Sequence, residues 1–460
     1  MPFPSRPLSG RVPPSSPPAP PEHARSATGS IIGTVKDSTG GPLPGVTITI
    51  SSPSLIGGSR TEVTGADGSF RFQELAPGSY VAKAELEGFL AQEVQNVLVR
   101  LDRSAAIYVV MPQGQFSETV NVTTEPPLVD PTQASVAQTY DKKYLRDLPI
   151  GSGGRDYLSV LQAAPGSVTS GNPQVFGSLS SENAYYIDGT DTTDPVTSTF
   201  GTNFNYDAIE EISYITAGYE AEYGRAIGGV INLVTKSGGN NFAGALDVRY
   251  QTDKFSESGD HFDPDLQKSK SIVPGATLGG PVLRDKLWFF GSYQDITTEI
   301  TPFLSKDTRT FEGQNYIGKL TWKIADSWQA VVKGSADPAD ISNSNADATV
   351  ATEATSLQTQ GGNIYQAELS GVLSSNLLWN LGLGQVRSDL DVVPQHGDFT
   401  TPGHTDFFTG EAYTNYTNAQ FSNRDRDEYR TSLSYQVTDF GGTHDFKFGV
   451  EALRWHDTGS

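Results

Sequence analysis

From about residue 241 onward, apolar and aromatic residues return at every second position. Tyr316, Leu320, Trp322 and Ile324 alternate with Lys319, Thr321 and Lys323, and Tyr429, Leu433, Tyr435 and Val437 alternate with Arg430, Ser432, Ser434 and Gln436. Successive side chains of a strand point to opposite faces, so this period commits the segment to β-structure with one apolar and one polar face. Similar stretches lie at 242–252, 328–334, 364–373, 377–387 and 446–453, and long polar connections run over 336–362 and 388–423. Short turns on one side and long loops on the other suit a sheet with lipid outside and a wet lumen inside. A soluble β-sandwich also alternates, but loops of that length and Trp and Tyr toward strand ends are less expected in one.

Composition points the same way. Among 460 residues there are 48 Gly, 22 Phe and 19 Tyr but only 2 Met, which favours an all-β dominated chain of two to four domains. No run approaches the roughly 18 apolar residues that a spanning helix needs, so any membrane crossing falls to tilted strands. A net charge of -21 and the lack of a basic patch argue against nucleic acid as a partner. The absence of cysteine excludes disulfides, Cys-zinc sites and thiol catalysis. His23, His261, His396, His404, His444 and His456 are scattered without metal-ligand spacing, and no Ser-His-Asp, HExxH, Walker or dinucleotide pattern has its required context. No enzyme activity, catalytic residue, cofactor or metal site is therefore expected.

The chain divides by composition. Residues 1–29 form a Pro-rich leader that cannot bury a core, expected to be disordered; it lacks the apolar run of about 7 to 15 residues of an export signal, so either the start codon is wrong or the signal is missing. Residues 30–112 read as short strands at 31–36, 46–51, 68–74, 78–86 and 105–111, with Val46, Ile48 and Ile50, and Phe70 and Phe72, alternating into a core. The motifs Gly33-Thr-Val-Lys-Asp37, Gly41-Pro-Leu-Pro-Gly-Val-Thr-Ile48, Thr64-Gly-Ala-Asp-Gly-Ser-Phe70, Leu75-Ala-Pro-Gly-Ser-Tyr80 and Glu87-Gly-Phe89 resemble the carboxypeptidase regulatory-like domain, which implies a prealbumin-like, carbohydrate-binding-like β-sandwich without peptidase activity. Gly45 and Gly68 suit turns, Tyr80 and Phe89 suit the core, and Asp67 reads as turn chemistry rather than a calcium ligand.

Residues 113–125 form a linker. Within it Glu118, Thr119, Val120, Asn121, Val122 and Thr123 are similar to the TonB box, an extended stretch that pairs with the periplasmic protein TonB; the last strand of the sandwich or a plain linker remains the alternative. Over 126–240 the chain resembles a TonB-receptor plug. The segments are a short helix with Tyr157, Leu158 and Leu161 on one side, stopped by Pro165; strands at 184–190 and 209–215; and a glycine-entered strand within 228–238. Glu210, Glu211, Glu220, Glu222 and Arg225 read as solvated plug surface or plug-to-barrel salt bridges rather than an acid/base site.

Residues 241–460 resemble the barrels of Oar-like TonB-dependent outer-membrane receptors, signalled by the strand–turn–strand run at 279–294. That resemblance implies a mixed α/β plug inside an antiparallel transmembrane β-barrel in the cell outer membrane, with outer-membrane lipid, TonB and an unidentified extracellular ligand as partners. Such barrels close with about 22 strands, and about nine or ten are recognisable here, so the chain is expected to be a front portion truncated at its C-terminus. The alternative is a soluble or surface-attached carbohydrate-binding β-sandwich protein.

Overall fold

The computed structural model describes residues 28–55, 58–101, 103–114, 120–123, 136–147, 157–161, 164, 166–168, 172–175, 177–219, 221–223, 226–255, 268–374, 376–437 and 444–459. Residues 1–27 of the Pro-rich leader, Glu118, Thr119, Pro165, Glu220 and Arg225 lie outside these.

The N-terminal unit has eight strands: β1 (Gly29–Asp37), β2 (Thr47–Ser51), β3 (Ser59–Val63), β4 (Ser69–Leu75), β5 (Gly78–Glu85), β6 (Gln92–Val99), β7 (Ser104–Met111) and β8 (Val120–Thr123). They form two sheets, β4-β1-β7 and β3-β2-β5-β6-β8. Ile31, Val35, Ile48, Ile50, Phe72 and Tyr80 fill the space between them, as their alternation dictates. The Tyr80 hydroxyl leaves that core by donating to the Ala76 carbonyl at 2.8 Å. Phe89 packs against the core from its margin. Gly68 adopts φ +74°, and a Cβ there would meet the Val35 carbonyl at 2.5 Å. Asp67 accepts from the backbone and hydroxyl of Ser69, a turn-closing arrangement.

Two of these strands are absent from the sequence reading. β3 is a polar edge strand without a buried face. In β6 an extra residue between the Tyr80↔Val97 and Ala82↔Val94 pairs, with Asn96 at φ 59°, makes a bulge that breaks the period of two.

The middle unit is built on the mixed sheet β13-β12-β15-β14-β9, comprising β9 (Val136–Asp141), β12 (Ala184–Ile187), β13 (Thr190–Asp191), β14 (Ile209–Ala217) and β15 (Val230–Thr235). A small hairpin, β10 (Ser167–Val168) with β11 (Gln174–Val175), and helices α1 (Lys142–Asp147) and α2 (Tyr157–Leu161) accompany it. Tyr157, Leu158, Val160 and Leu161 are all buried with Tyr185, Ile212, Tyr214 and Leu233. The close approach expected of the glycines before β15 is present: a Cβ on Gly229 would lie 2.5 Å from the Tyr214 ring. One expectation is corrected. Residues 184–190 are a hairpin, β12 and β13, not one strand, because Asp188 (φ 47°) and Gly189 (φ 79°) both take positive φ, as a two-residue type I′ turn requires.

The C-terminal unit is one antiparallel sheet. In chain order its strands are β16 (Ala243–Thr252), β17 (Lys268–Leu283), β18 (Leu287–Thr301), β19 (Arg309–Ala325), β20 (Trp328–Ala336), β21 (Ala339–Ser342), β22 (Ser356–Ser374), β23 (Leu377–Pro394), then the small loop hairpin β24 (His404–Thr405) and β25 (Ala412–Tyr413), then β26 (Gln420–Val437) and β27 (His444–Gly459). The long strands pair in the order β16-β17-β18-β19-β20-β22-β23-β26-β27, β24 and β25 form a separate two-stranded sheet, and β21 resumes the line of β20 between β19 and β22 beyond the interruption at Asp337 and Pro338. Several strands run longer than their alternation suggested. Eighteen residues in β23 span about 60 Å, against an apolar band of roughly 25 Å, so the upper halves rise beyond the hydrocarbon, where the outward face is polar and the signal fades. Among the described residues no helix is long and apolar enough to cross a membrane.

Candidate functional site

The barrel strands face two different surroundings. Tyr316, Leu320, Trp322, Tyr429, Leu433 and Tyr435 point outward and are uncovered by the chain, while Lys319, Thr321, Arg430, Ser432 and Ser434 point inward and are buried. The period of two therefore assigns the faces correctly. The inner face beside these residues is covered by the mixed sheet rather than water, and this contact is the most elaborate polar site among the described residues.

Its centre is the β12–β13 hairpin. Asp188, at the turn, lies 2.7 Å from Lys333 on β20 and 3.4 Å from Lys319 on β19, and it accepts from the backbone and hydroxyl of Thr235 on β15. Further along, Asp191 is 3.4 Å from Arg426 and Asp194 is 2.5 Å from Arg424, both on β26. Glu428 accepts from the Asp191 backbone at 3.0 Å and pairs with Arg430 at 3.1 Å; Arg430 also donates to the Gly189 carbonyl at 2.6 Å and lies 3.7 Å from Glu368. Arg426 donates to the carbonyls of Thr193 and Asp191. Five bases thus meet five acids. All the bases come from the barrel, and three of the acids, Asp188, Asp191 and Asp194, come from the hairpin and the loop after it.

Charges this deep persist only when paired and hydrogen-bonded. Burial alone would raise the Asp188 carboxyl, but Lys319 and Lys333, with Thr235, hold it below the ordinary aspartate value. Space for the contact comes from two inward glycines of β23. A Cβ on Gly384 would stand 2.8 Å from the Thr190 methyl, and one on Gly382 would stand 2.4 Å from the Arg430 side chain. Further hydrogen bonds extend the seam: the Asn203 backbone donates to Asp337 at 2.6 Å, the Asn205 amide donates to Ser292 at 2.8 Å, and Gln366 donates to the Ile187 carbonyl at 2.7 Å.

The acids singled out in the sequence divide. Glu222 does bridge to the barrel, 2.7 Å from Lys447 on β27. Glu210 pairs instead with Lys142 at 2.9 Å. Glu211 is buried beneath the N-terminal unit, where it accepts from the Leu101 backbone; burial pushes its carboxyl up to about 8. That shift arises at a contact between units. The hub residues Asp188, Asp191, Asp194, Lys333, Arg424 and Arg426 were not singled out. The Asp188-Gly189 pair and the inward alternation of β26 were the available signals for them. Of the linker segment, Val120–Thr123 forms β8, paired in parallel with β6 from Gln92↔Val120 to Gln95↔Thr123.

A strand wall holding an inner mixed sheet, preceded by a small sandwich, defines a plugged outer-membrane β-barrel protein. Residues 30–112 match the carboxypeptidase regulatory-like domain, and residues 234–305 match the outer membrane beta barrel domain. The chain is similar to the TonB-dependent transporter Oar of Myxococcus xanthus, 33% identical over 285 residues that cover 59% of this chain and 27% of that protein. Its fold is shared with the outer membrane transporter YddB of Escherichia coli (TM-score 0.56, 13% identity, 69% of this chain and 48% of that one) and the siderophore receptor PirA of Acinetobacter baumannii (TM-score 0.54, 15% identity, 69% and 47%). The chain spans about a quarter of the length of that curated relative and about half of each solved structure. These matches locate it in the cell outer membrane.

Proposed function

We propose that the chain supplies the sandwich (30–112), linker (113–125), plug (126–240) and part of the barrel (241–460) of a TonB-dependent receptor that takes up an extracellular ligand, and that it has no enzymatic role. The observation that carries this reading is the charge-balanced seating of the β12–β13 hairpin on the barrel wall. A pore whose inner sheet is held by ion pairs, with no covalent tie between them beyond the chain itself, is a gate that a pull can open. The relative's role as a TonB-dependent transporter supports the same reading. A soluble carbohydrate-binding sandwich is disfavoured, because the outward face of the large sheet leaves Leu320, Trp322, Leu433 and Tyr435 uncovered.

Coupling is assigned to Glu118, Thr119, Val120, Asn121, Val122 and Thr123, between sandwich and plug. Proline at Val120 removes a backbone donor from any strand pairing there. Val120→Pro is expected to weaken capture of the periplasmic domain of TonB by at least about tenfold, roughly 1.4 kcal/mol, while leaving insertion in the outer membrane unchanged. Unchanged capture would move the coupling site elsewhere.

A further inference from the structure

A short turn of the N-terminal unit meets the plug. Between β6 and β7 the chain passes Arg100, Leu101 and Arg103, and the Arg103 backbone closes the turn by donating to the Arg100 carbonyl at 3.3 Å. Turns run over protein surfaces, yet Leu101 is fully buried. Its backbone N–H donates to the buried carboxyl of Glu211 on β14, and the Arg103 guanidinium donates to the Ala137 carbonyl on β9. Glu211 is the register partner of Asp141, near one end of the β9–β14 ladder, and Ala137 is the partner of Ile215, near the other. The turn therefore grips both strands and spans the ladder that joins them.

We infer that the turn between β6 and β7 is a clamp by which the sandwich holds β9 on β14, and that it has to leave before this edge of the plug can yield. The inference rests on the gate reading above and adds a second restraint to it. Ion pairs seat the β12–β13 hairpin on the barrel, and the sandwich fastens the opposite edge of the same sheet. Unseating the turn breaks both hydrogen bonds and returns Leu101 to water. The clamp is also linked to protons. Burial pushes the Glu211 carboxyl up to about 8, with Glu210 beside it on β14 and Asp141 across on β9 adding to the rise, while the Leu101 N–H and Arg100 of the turn oppose it. Arg103 lies in the same turn, Lys142 and Lys236 stand beside Glu210, and Asp102 lies outside the described residues. The seated state thus holds a proton on Glu211. Its grip is complete below the ordinary glutamate range and weakens as pH rises toward about 8.

Hydrogen exchange of the full-length protein in outer-membrane vesicles tests the clamp and needs neither TonB nor ligand. β15, inside the same sheet, serves as the reference for β9. In Arg103→Ala the amides of β9 are expected to exchange about tenfold faster relative to β15, while the strands of the sandwich keep their protection. Exchange of β9 as slow as in the parent, with the sandwich intact, would overturn the clamp. If the sandwich itself loses protection in that variant, the unmodified protein decides. Between about pH 5 and about pH 8 its ratio of β9 to β15 exchange should rise by at least about tenfold. The ratio should stay flat in Glu211→Gln, which keeps an acceptor for Leu101 but takes no charge. A flat ratio in the unmodified protein would overturn the clamp. Full capture of TonB by the Val120→Pro variant is a different failure, of the coupling assignment, and does not bear on this contact.

Discussion

At the scale of single residues, the molecule turns on Asp188. It sits at a turn that only Asp, Asn and Gly adopt readily, and its carboxylate is shared by two lysines from neighbouring barrel strands. Removing one member of a buried set strands its partners. Asp188→Ala is expected to lower the resistance of the plug to urea, followed by proteolysis, by about 3 to 5 kcal/mol, whereas removing the exposed pair of Lys143 with Asp147 should leave it unchanged. The Asp188 carboxyl is depressed in the folded state, so its contribution is complete above the ordinary aspartate range and is lost as pH falls below it. Glu211 has the opposite sign. Its folded value lies above the ordinary 4.5, so stability is complete below that pH and declines as pH rises toward about 8. Glu211→Gln keeps an acceptor for the Leu101 backbone, so the variant should melt higher than the parent at pH 8 and equal it near pH 4; an unchanged melting curve at pH 8 would count against the burial of that carboxyl.

At the scale of elements, two faces of each barrel strand meet different solvents. Leu320 and Thr321 are neighbours on β19, yet one points outward and is uncovered and the other points inward and is buried. Leu320→Arg should therefore cost about 2 to 4 kcal/mol of membrane stability if it sits near the bilayer midplane, read from urea unfolding in lipid vesicles. A cost indistinguishable from zero would remove Leu320 from the lipid face. This alternation was legible in the sequence because it is dictated by the pleat alone. The upper strand halves were not, because above the hydrocarbon the outward face is polar, with Gln385, Arg387, Asp389 and Asp391 on β23 and Asn423, Asp425 and Asp427 on β26. β6 escaped because its bulge at Asn96 shifts the phase. The β12–β13 hairpin escaped for another reason: its Asp-Gly turn signal was present, but the apolar residues before it and the threonines after it read as one run.

At the scale of the whole molecule, the order sandwich, plug and barrel was readable from motifs in sequence, but the contact that joins plug to barrel was not. Asp188 and Lys333 are 145 residues apart, and nothing local to either announces the other. Only the parity of each strand indicated which bases would face inward. The coupling segment precedes β9, which is the outermost strand of the plug sheet, opposite in strand order to the anchored β12–β13 hairpin. Under the proposed coupling, a pull through that segment reaches the β9 edge of this sheet before the ion-paired edge. The seating of the hairpin is the central claim, and Thr190 and Gly384 test it most directly, because a Cβ on Gly384 falls 2.8 Å from the Thr190 side chain. With Thr190→Cys and Gly384→Cys introduced into this cysteine-free chain, oxidation of isolated outer membranes should join plug to barrel nearly completely, seen as a reducible shift in gel mobility. Two free thiols in folded, membrane-inserted protein would contradict it.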